Sequence, residues 1–205
     1  MHVKTLEVGF LMTNCYIVAD EDTGDCAVLD PGGNAVLILD YLEEHHLTCK
    51  AVLLTHGHFD HVMGVKDLLG YLEEDVPLYM SRQDLDLDIG NDTFVFSPPS
   101  DTVYLDHGDT VDVGALHFEV IGCPGHTPGG LTYKIEDCLF TGDTLFRCSV
   151  GRSDFPASDE KALFRSLARL CALPGNYDVY PGHGDATTLE YERRFNHYMQ
   201  CPWDL

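Results

Sequence analysis

The stretch AVLLTHGHFDH, Ala51 to His61, decides the reading of this chain. Its first four residues, Ala51 to Leu54, form a continuous apolar run that predicts a strand buried on both faces. The run empties into a loop carrying four ligand-type side chains within six residues: His56, His58, Asp60 and His61. A strand end is rigid, and the loop beyond it is free to turn successive side chains towards one point. Two imidazoles at His56 and His58 can therefore grip one cation, while Asp60 and His61, further round the turn, can grip another. A lone HxH pair is as compatible with surface histidines as with a site; the whole HxHxDH block is far less so.

Working outward, three more places put one ligand-type residue in a Gly/Pro turn after a predicted strand: His126 in PGHTPG, Asp143 in TGDTLF and His183 in PGHG. Glycine beside such a residue lets the backbone approach closely. Taken singly, each reads equally well as a turn histidine or a turn-capping aspartate. Taken together they complete a count of seven. His56, His58 and His126 would hold one ion, Asp60, His61 and His183 the other, and the Asp143 carboxylate would bridge both.

The remaining pattern is strands followed by helix, strand and helix, twice over. Cys15–Ala19 and Ala27–Leu29 read as adjacent antiparallel strands, the second ending in the turn DPGG, Asp30 to Gly33. A helix is expected over Asn34–Leu47, with Asn34 as cap and Val36, Leu39, Leu42 and Leu47 on its apolar face. Another is expected over Val62–Glu74, then a strand over Pro77–Met80, a helical turn over Arg82–Asp88, and an irregular loop over Asn91–Ser100 that could overhang a site. Strands follow over Val111–Val113, Leu116–Ile121, Thr132–Ile135 and Cys138–Thr141. A helix over Ser158–Ala172, a strand over Asp178–Tyr180 and a helix over Thr188–Met199 close the chain. Such an order places two sheets face to face with helices outside, an α/β four-layer αββα sandwich, with residues 1–205 as one domain.

Composition narrows the function classes. Hydrophobic residues are 44% and charged residues 22% of the chain, the balance of a globular protein. Acidic residues outnumber basic ones 34 to 12, for a formal charge of -22, which disfavours nucleic acid as partner in the absence of any Lys/Arg cluster. No apolar stretch approaches the ~20 residues needed to span a bilayer, so no membrane partner is expected. The start of the chain lacks a signal-peptide pattern, and the cysteines lack CxxC pairs. Reduced thiols and a cytoplasmic location are the expectation.

HxHxDH, then PGHTPG, GDTLF and PGHG in this order resemble the metallo-β-lactamase superfamily, its glyoxalase II-like branch above all. TNCYIV (Asn14, Cys15, Tyr16), DPGG and GRSDFP (Gly151 to Pro156) fit the same group, so the resemblance covers almost the whole chain. It implies the αββα sandwich and a dinuclear site with the seven ligands named above. The two divalent ions would be zinc in most members, with iron or manganese in some. It further implies hydrolysis of a small-molecule thioester of the S-lactoylglutathione kind, with a hydroxide shared by the ions as nucleophile. Asp143 as the bridge and Asp60 as ligand and orienter of that nucleophile are the expected catalytic carboxylates. Longer members carry a C-terminal helical region whose basic residues hold glutathione; the segment Thr187–Met199 instead resembles the short bacterial type.

Two other functions are compatible with the resemblance. A persulfide dioxygenase shares GDTLF-like and GRSDF-like segments but uses one iron, and a non-enzymatic binding protein could have arisen on the same fold. The full set of seven ligand-type residues argues against the second. Cys148 is expected to be a small packing residue, Tyr133 and Phe146 to be core, and His45, His46, His107, His117 and His197 to be surface or structural. Arg147, Arg152 and Arg165 are candidates for contact with an anionic substrate. Composition and motifs leave the oligomeric state open.

Overall fold

The computed structural model describes residues 1–72, 75–85, 87 and 96–200. One sheet runs in the order β1 (His2–Val8), β2 (Thr13–Ala19), β3 (Asp25–Leu29), β4 (Thr48–Leu53), β5 (Leu78–Met80), β6 (Val103–Tyr104). Its first three strands are antiparallel neighbours and the rest are joined in parallel. The second sheet holds β7 (Thr110–Val113), β8 (Leu116–Gly122), β9 (Leu131–Ile135) and β10 (Cys138–Gly142) as an antiparallel meander. A small ribbon of β11 (Leu145–Phe146) and β12 (Ser149–Val150) follows β10. β13 (Asp178–Pro181) then pairs parallel to β10 and antiparallel to β14 (Thr187–Thr188).

The four layers follow from side-chain parity. All of β2 is buried. Tyr16 and Val18 point to the inter-sheet core with Leu29, Leu53, Phe118, Tyr133 and Phe140, and Cys15 and Ile17 point the opposite way. A strand alternates its side chains between faces, so a strand covered on both sides must be apolar throughout, and each fully buried Leu or Phe contributes ~1.5–3 kcal/mol. The outer face of the first sheet is covered by α1 (Ala35–Glu44), α2 (Phe59–Val62) and α3 (Val65–Tyr71) through residues such as Ile38, Val62 and Leu68. On the outer face of the second, α4 (Glu160–Cys171), α5 (Leu189–Phe195) and α6 (His197–Gln200) pack Leu163, Leu167, Leu189 and Met199 against Leu139 and Val179. This is the expected αββα sandwich. No helix among the described residues is long and apolar enough to cross a membrane.

Local departures from expectation have local causes. Asn34 precedes α1 in a left-handed conformation and makes no side-chain cap; its Oδ1 accepts instead from the Gly9 N–H at 2.8 Å. The buried face of α1 is Ala35, Ile38 and Leu42, while Val36 is exposed. The helix expected over Val62–Glu74 is two helices broken at Gly64, whose N–H donates to the Pro31 carbonyl at 2.8 Å; a Cβ there would meet that oxygen at 2.5 Å. Glu73 and Glu74 lie outside the described residues. The helix expected over Thr188–Met199 is broken at Asn196, which turns to extended backbone while its Nδ2 bonds the Ser149 carbonyl and Glu192. Strand β1 carries a half-exposed pattern with no clear alternation, and the two-residue strands are below the length that periodicity detects. The described cysteines are all free thiols.

Candidate metal centre

The predicted ligands lie in the segments that follow the C-terminal ends of four strands. The loop after β4 delivers His56 and His58, and the short helix α2 that follows it delivers Asp60 and His61; the loop after β8 delivers His126; β10 is followed by Asp143 and β13 by His183. The two sheets thus converge on one edge of the sandwich, where cross-sheet bonds fix their spacing. Leu131 N–H donates to the Thr55 carbonyl at 2.7 Å and the Tyr133 hydroxyl to the Leu54 carbonyl at 2.9 Å.

All seven side chains are brought together. His56, His58 and His126 offer ring nitrogens within 4.8 Å of one another, and so do Asp60, His61 and His183 with one carboxylate oxygen. Asp143 lies between the triads: its Oδ1 is 3.4 Å from His61 Nε2, and its Oδ2 is 3.5 Å from His126 Nε2 and 3.7 Å from His183 Nε2. His183 Nε2 is 3.1 Å from Asp60 Oδ2. Gly182 makes this closeness possible, since a Cβ there would fall 2.2 Å from Asp143 Oδ1 and 2.7 Å from His61 Cε1.

The donor set fits divalent cations. His56 Nε2, His61 Nε2 and Asp143 Oδ1 are buried with no hydrogen-bond partner, and an orphaned buried polar atom is costly unless something binds it. The far side of three rings is already tied. His61 Nδ1 lies 2.9 Å from Asp30 Oδ2, His126 Nδ1 2.8 Å from the Arg152 carbonyl, and His56 Nδ1 3.1 Å from the Thr55 hydroxyl. A carbonyl or carboxylate oxygen only accepts, so Nδ1 of His61 and His126 carries a proton, which leaves Nε2 of each ring as the atom able to ligate. Metal-binding histidines have this outer arrangement. Asp30, His56 and His61 also lie close enough to form a triad. The Asp30 oxygens, however, already accept from Thr55 N, Thr55 Oγ1 and His61, so Asp30 orients His61 rather than ligating.

The electrostatics divide the site. Burial, with His126 beside it, pulls the His58 imidazole down to about 4. Burial and the neighbouring His61 and His58 rings hold His56 well below the usual histidine range. Both rings are therefore neutral near pH 7, ready to ligate. Burial opposes the charging of His61, but Asp143 and Asp30 outweigh it and hold that ring well above its ordinary value. Asp143 and Asp60 are held below the carboxylate range against the effect of burial, Asp143 first by His61 and Asp60 first by its hydrogen bond with His183.

Two positioning residues escaped the sequence reading. Asp30 stood out only as the first residue of the DPGG turn, a segment that fits the resemblance, without an expected role in the site. Asp84, one of the acidic residues alternating in DLDLD, is buried and links two ligand loops: it accepts from Gly57 N at 2.9 Å, Thr127 Oγ1 at 2.8 Å and Gly129 N at 2.5 Å. Asn14 and Tyr16 have a comparable part for His183. Asn14 Nδ2 donates to the Pro181 and Gly184 carbonyls at 3.0 and 2.8 Å, and the Tyr16 hydroxyl to the Pro181 carbonyl at 2.5 Å.

Other expectations divide. Tyr133 is core, but Phe146 is only half-buried and lines the cleft above the site together with Arg152 and Phe155. Cys148 is exposed rather than packed, in a left-handed conformation at the turn between β11 and β12. Arg147 lies 2.9 Å from Asp185, and Arg165 is exposed on α4, away from the cleft. Residues 91–95 of the loop expected to overhang lie outside the described residues. Phe96 packs on the helical side of the first sheet, and none of residues 96–100 lines the cleft.

The sequence profile of the metallo-beta-lactamase superfamily matches residues 8–183. The hydroxyacylglutathione hydrolase GloC of Haemophilus influenzae is 34% identical over 212 residues, covering 97% of this chain and 98% of the relative. Among solved structures, TTHA1623 in a di-iron-bound form matches with a TM-score of 0.82 and 38% identity, over 97% of this chain and 100% of its own. The B3 metallo-beta-lactamase BLEG-1 matches with a TM-score of 0.87 and 29% identity, over 98% of this chain and 100% of its own.

Proposed function

The chain belongs to the metallo-beta-lactamase superfamily, and on that premise we propose that it hydrolyses a small-molecule thioester of the S-lactoylglutathione kind at a two-metal centre. That it is a metal-binding hydrolase of this fold rests on the family and on the two His/Asp clusters; the thioester is the finer reading. The single observation that carries it is the pair of triads with Asp143 between them, three of whose inward-facing atoms, His56 Nε2, His61 Nε2 and Asp143 Oδ1, are buried and make no hydrogen bond.

His56, His58 and His126 would hold one ion and Asp60, His61 and His183 the other, with Asp143 between them. Zinc suits this set of imidazoles and carboxylates, and iron or manganese are alternatives, since such ligands accept several dications. When bound, the ions would supply a Lewis acid for the scissile carbonyl and a water acidic enough to ionise near neutral pH. The chain's own residues set the stage for that chemistry. Asp60 faces the cleft with Oδ2 3.2 Å from the Thr13 hydroxyl, which donates to it, and can orient or accept a proton from an attacking water. The ties from Asp30 to His61 and from the Arg152 carbonyl to His126 keep both rings in the ligating tautomer. A thiolate leaves without obligatory protonation, so the absence of a dedicated general acid among the described cleft residues is no obstacle.

The test is metal content per chain on protein purified without chelator, paired with S-lactoylglutathione hydrolysis by the parent and by Asp143→Ala. Two ions per chain, with hydrolysis abolished in the variant, support the reading. A single iron with oxygen consumption on a persulfide and no thioester hydrolysis replaces it with sulfur oxygenation.

A further inference from the structure

We infer that Phe155 is a positioning residue for the triad of His56, His58 and His126, holding the His58 imidazole by ring packing where the other two rings of that triad are held by hydrogen bonds. This assignment rests on the two-metal part of the proposed function and not on its thioester.

The segment GRSDFP, Gly151 to Pro156, follows β12 and runs along the site. A Cβ on Gly151 would fall 1.8 Å from the Asp143 carbonyl oxygen and 3.2 Å from His126 Nδ1, so glycine lets the backbone pass directly against both ligands. The next carbonyl, that of Arg152, lies 2.8 Å from His126 Nδ1. Just beyond the segment, Ser158 Oγ donates to the His126 carbonyl at 2.7 Å and the Asp159 N–H to the Gly125 carbonyl at 2.8 Å. Phe155 is therefore carried by a stretch pinned on both sides to the His126 loop.

His58 is the ring of this triad without such a tie. Its Nδ1 lies 2.8 Å from His126 Nε2, which makes Nδ1 the nitrogen that faces the triad. A metal-binding histidine ordinarily fixes its ring by donating from the other nitrogen to a carboxylate or carbonyl. Among the described residues, no hydrogen bond reaches His58 Nε2. What meets the ring instead is aromatic. Phe155 lies edge-on to His58, with ring centroids 5.3 Å apart and planes at 69°, and to His126 at 6.0 Å and 70°.

Phe155 is itself fixed. The Arg152 guanidinium lies 4.3 Å over its ring, while Nε and Nη2 of that arginine bond the two oxygens of Asp154 at 2.8 and 2.9 Å. An edge-to-face pair favours one ring angle over others, so a fixed phenyl ring sets the angle of the imidazole beside it. Among the described residues Phe155 makes no ring contact with His61 or His183, so its loss should fall on one triad alone.

The experiment follows cobalt(II) binding to the full chain after metal removal, by visible absorption and by chelator competition, with S-lactoylglutathione hydrolysis measured in parallel. The absorption band that His126→Ala removes identifies the site of this triad. Phe155→Ala should weaken cobalt binding at that site about three- to tenfold, the size of effect expected of one edge-to-face contact. It should also change the shape of that band and leave the site of Asp60, His61 and His183 as in the parent. Phe155→Tyr, which keeps the ring, should restore both affinity and band. Phe155→Leu keeps the bulk and decides the matter where alanine unfolds the loop; it should weaken the same site alone. Equal weakening of both sites, parent affinity without the ring, or no rescue by tyrosine overturns the inference. The expected changes in a chain whose parent hydrolyses no thioester uphold the role of Phe155 and retire the thioesterase reading instead.

Discussion

Asp30 Oδ2 lies 2.9 Å from His61 Nδ1, and neither side chain is more than 2% exposed, so the orientation of a ligand in the HxHxDH loop is set by a residue from the end of a neighbouring strand. The same carboxylate accepts from both the backbone N–H and the hydroxyl of Thr55. Asp30→Asn keeps the shape but cannot accept at both oxygens. Removal of an outer partner of a metal-bound histidine weakens metal binding about 10–100-fold. In a competitive chelator titration, the site of His61 should weaken by that factor while that of His56, His58 and His126 keeps its affinity. Equal weakening at both would show that Asp30 acts on the whole loop.

Asp84 should matter for folding as well as for the site. In Asp84→Ala the Gly57 and Gly129 N–H groups and the Thr127 hydroxyl lose their acceptor in a buried place, which costs about 3 kcal/mol or more. Asp84→Asn should fall between, because one oxygen can still accept while the amide opposes a donor. Urea unfolding with metal removed measures both, and an alanine variant within 0.5 kcal/mol of the parent would contradict the assigned role.

The hold on the His183 loop is unequally shared. Tyr16→Phe removes one bond to the Pro181 carbonyl, which still accepts from Asn14, and should cost about 1 kcal/mol. Asn14→Ala removes the side-chain bonds to both Pro181 and Gly184 and should cost more, with a weaker metal site at His183. Thermal unfolding and metal stoichiometry of the two variants give the order.

The pH dependence of the chelator-treated protein should show an optimum. The lowered imidazoles, His56 and His58, contribute stability above the unfolded histidine value of about 6.5 that is lost as pH falls, for His58 down to about 4. The raised ones, His61 and His183, contribute below about 6.5 and lose it as pH rises through their folded values. The melting temperature without metal should therefore peak near pH 6.5 and decline on both sides. Depressed Asp60 and Asp143 add to the acid side at still lower pH. Saturating zinc should abolish the alkaline decline, because metal binding demands deprotonated rings.

What the sequence by itself determined is the part of this protein that is local in the chain. A short continuous apolar run such as Ala51–Leu54 fits a strand covered on both faces, and four ligand-type residues in the next turn are neighbours whatever the tertiary structure. The β-branched and aromatic run of β2 and the helical period of Leu163, Leu167 and Leu170 placed these elements for the same reason. Only the tertiary structure could decide what depends on distant parts of the chain meeting. Asp84 is one acidic residue in a run of them until the fold buries it between the loops of Gly57 and Thr127. Phe146 reads as a core residue until the convergence of the two sheets leaves it, with Phe10, at the rim of a cleft. Periodicity records burial along one element, whereas a hydrogen bond or a cleft wall between residues 47 or more positions apart is fixed by the packing of the sheets, which no short window of sequence contains.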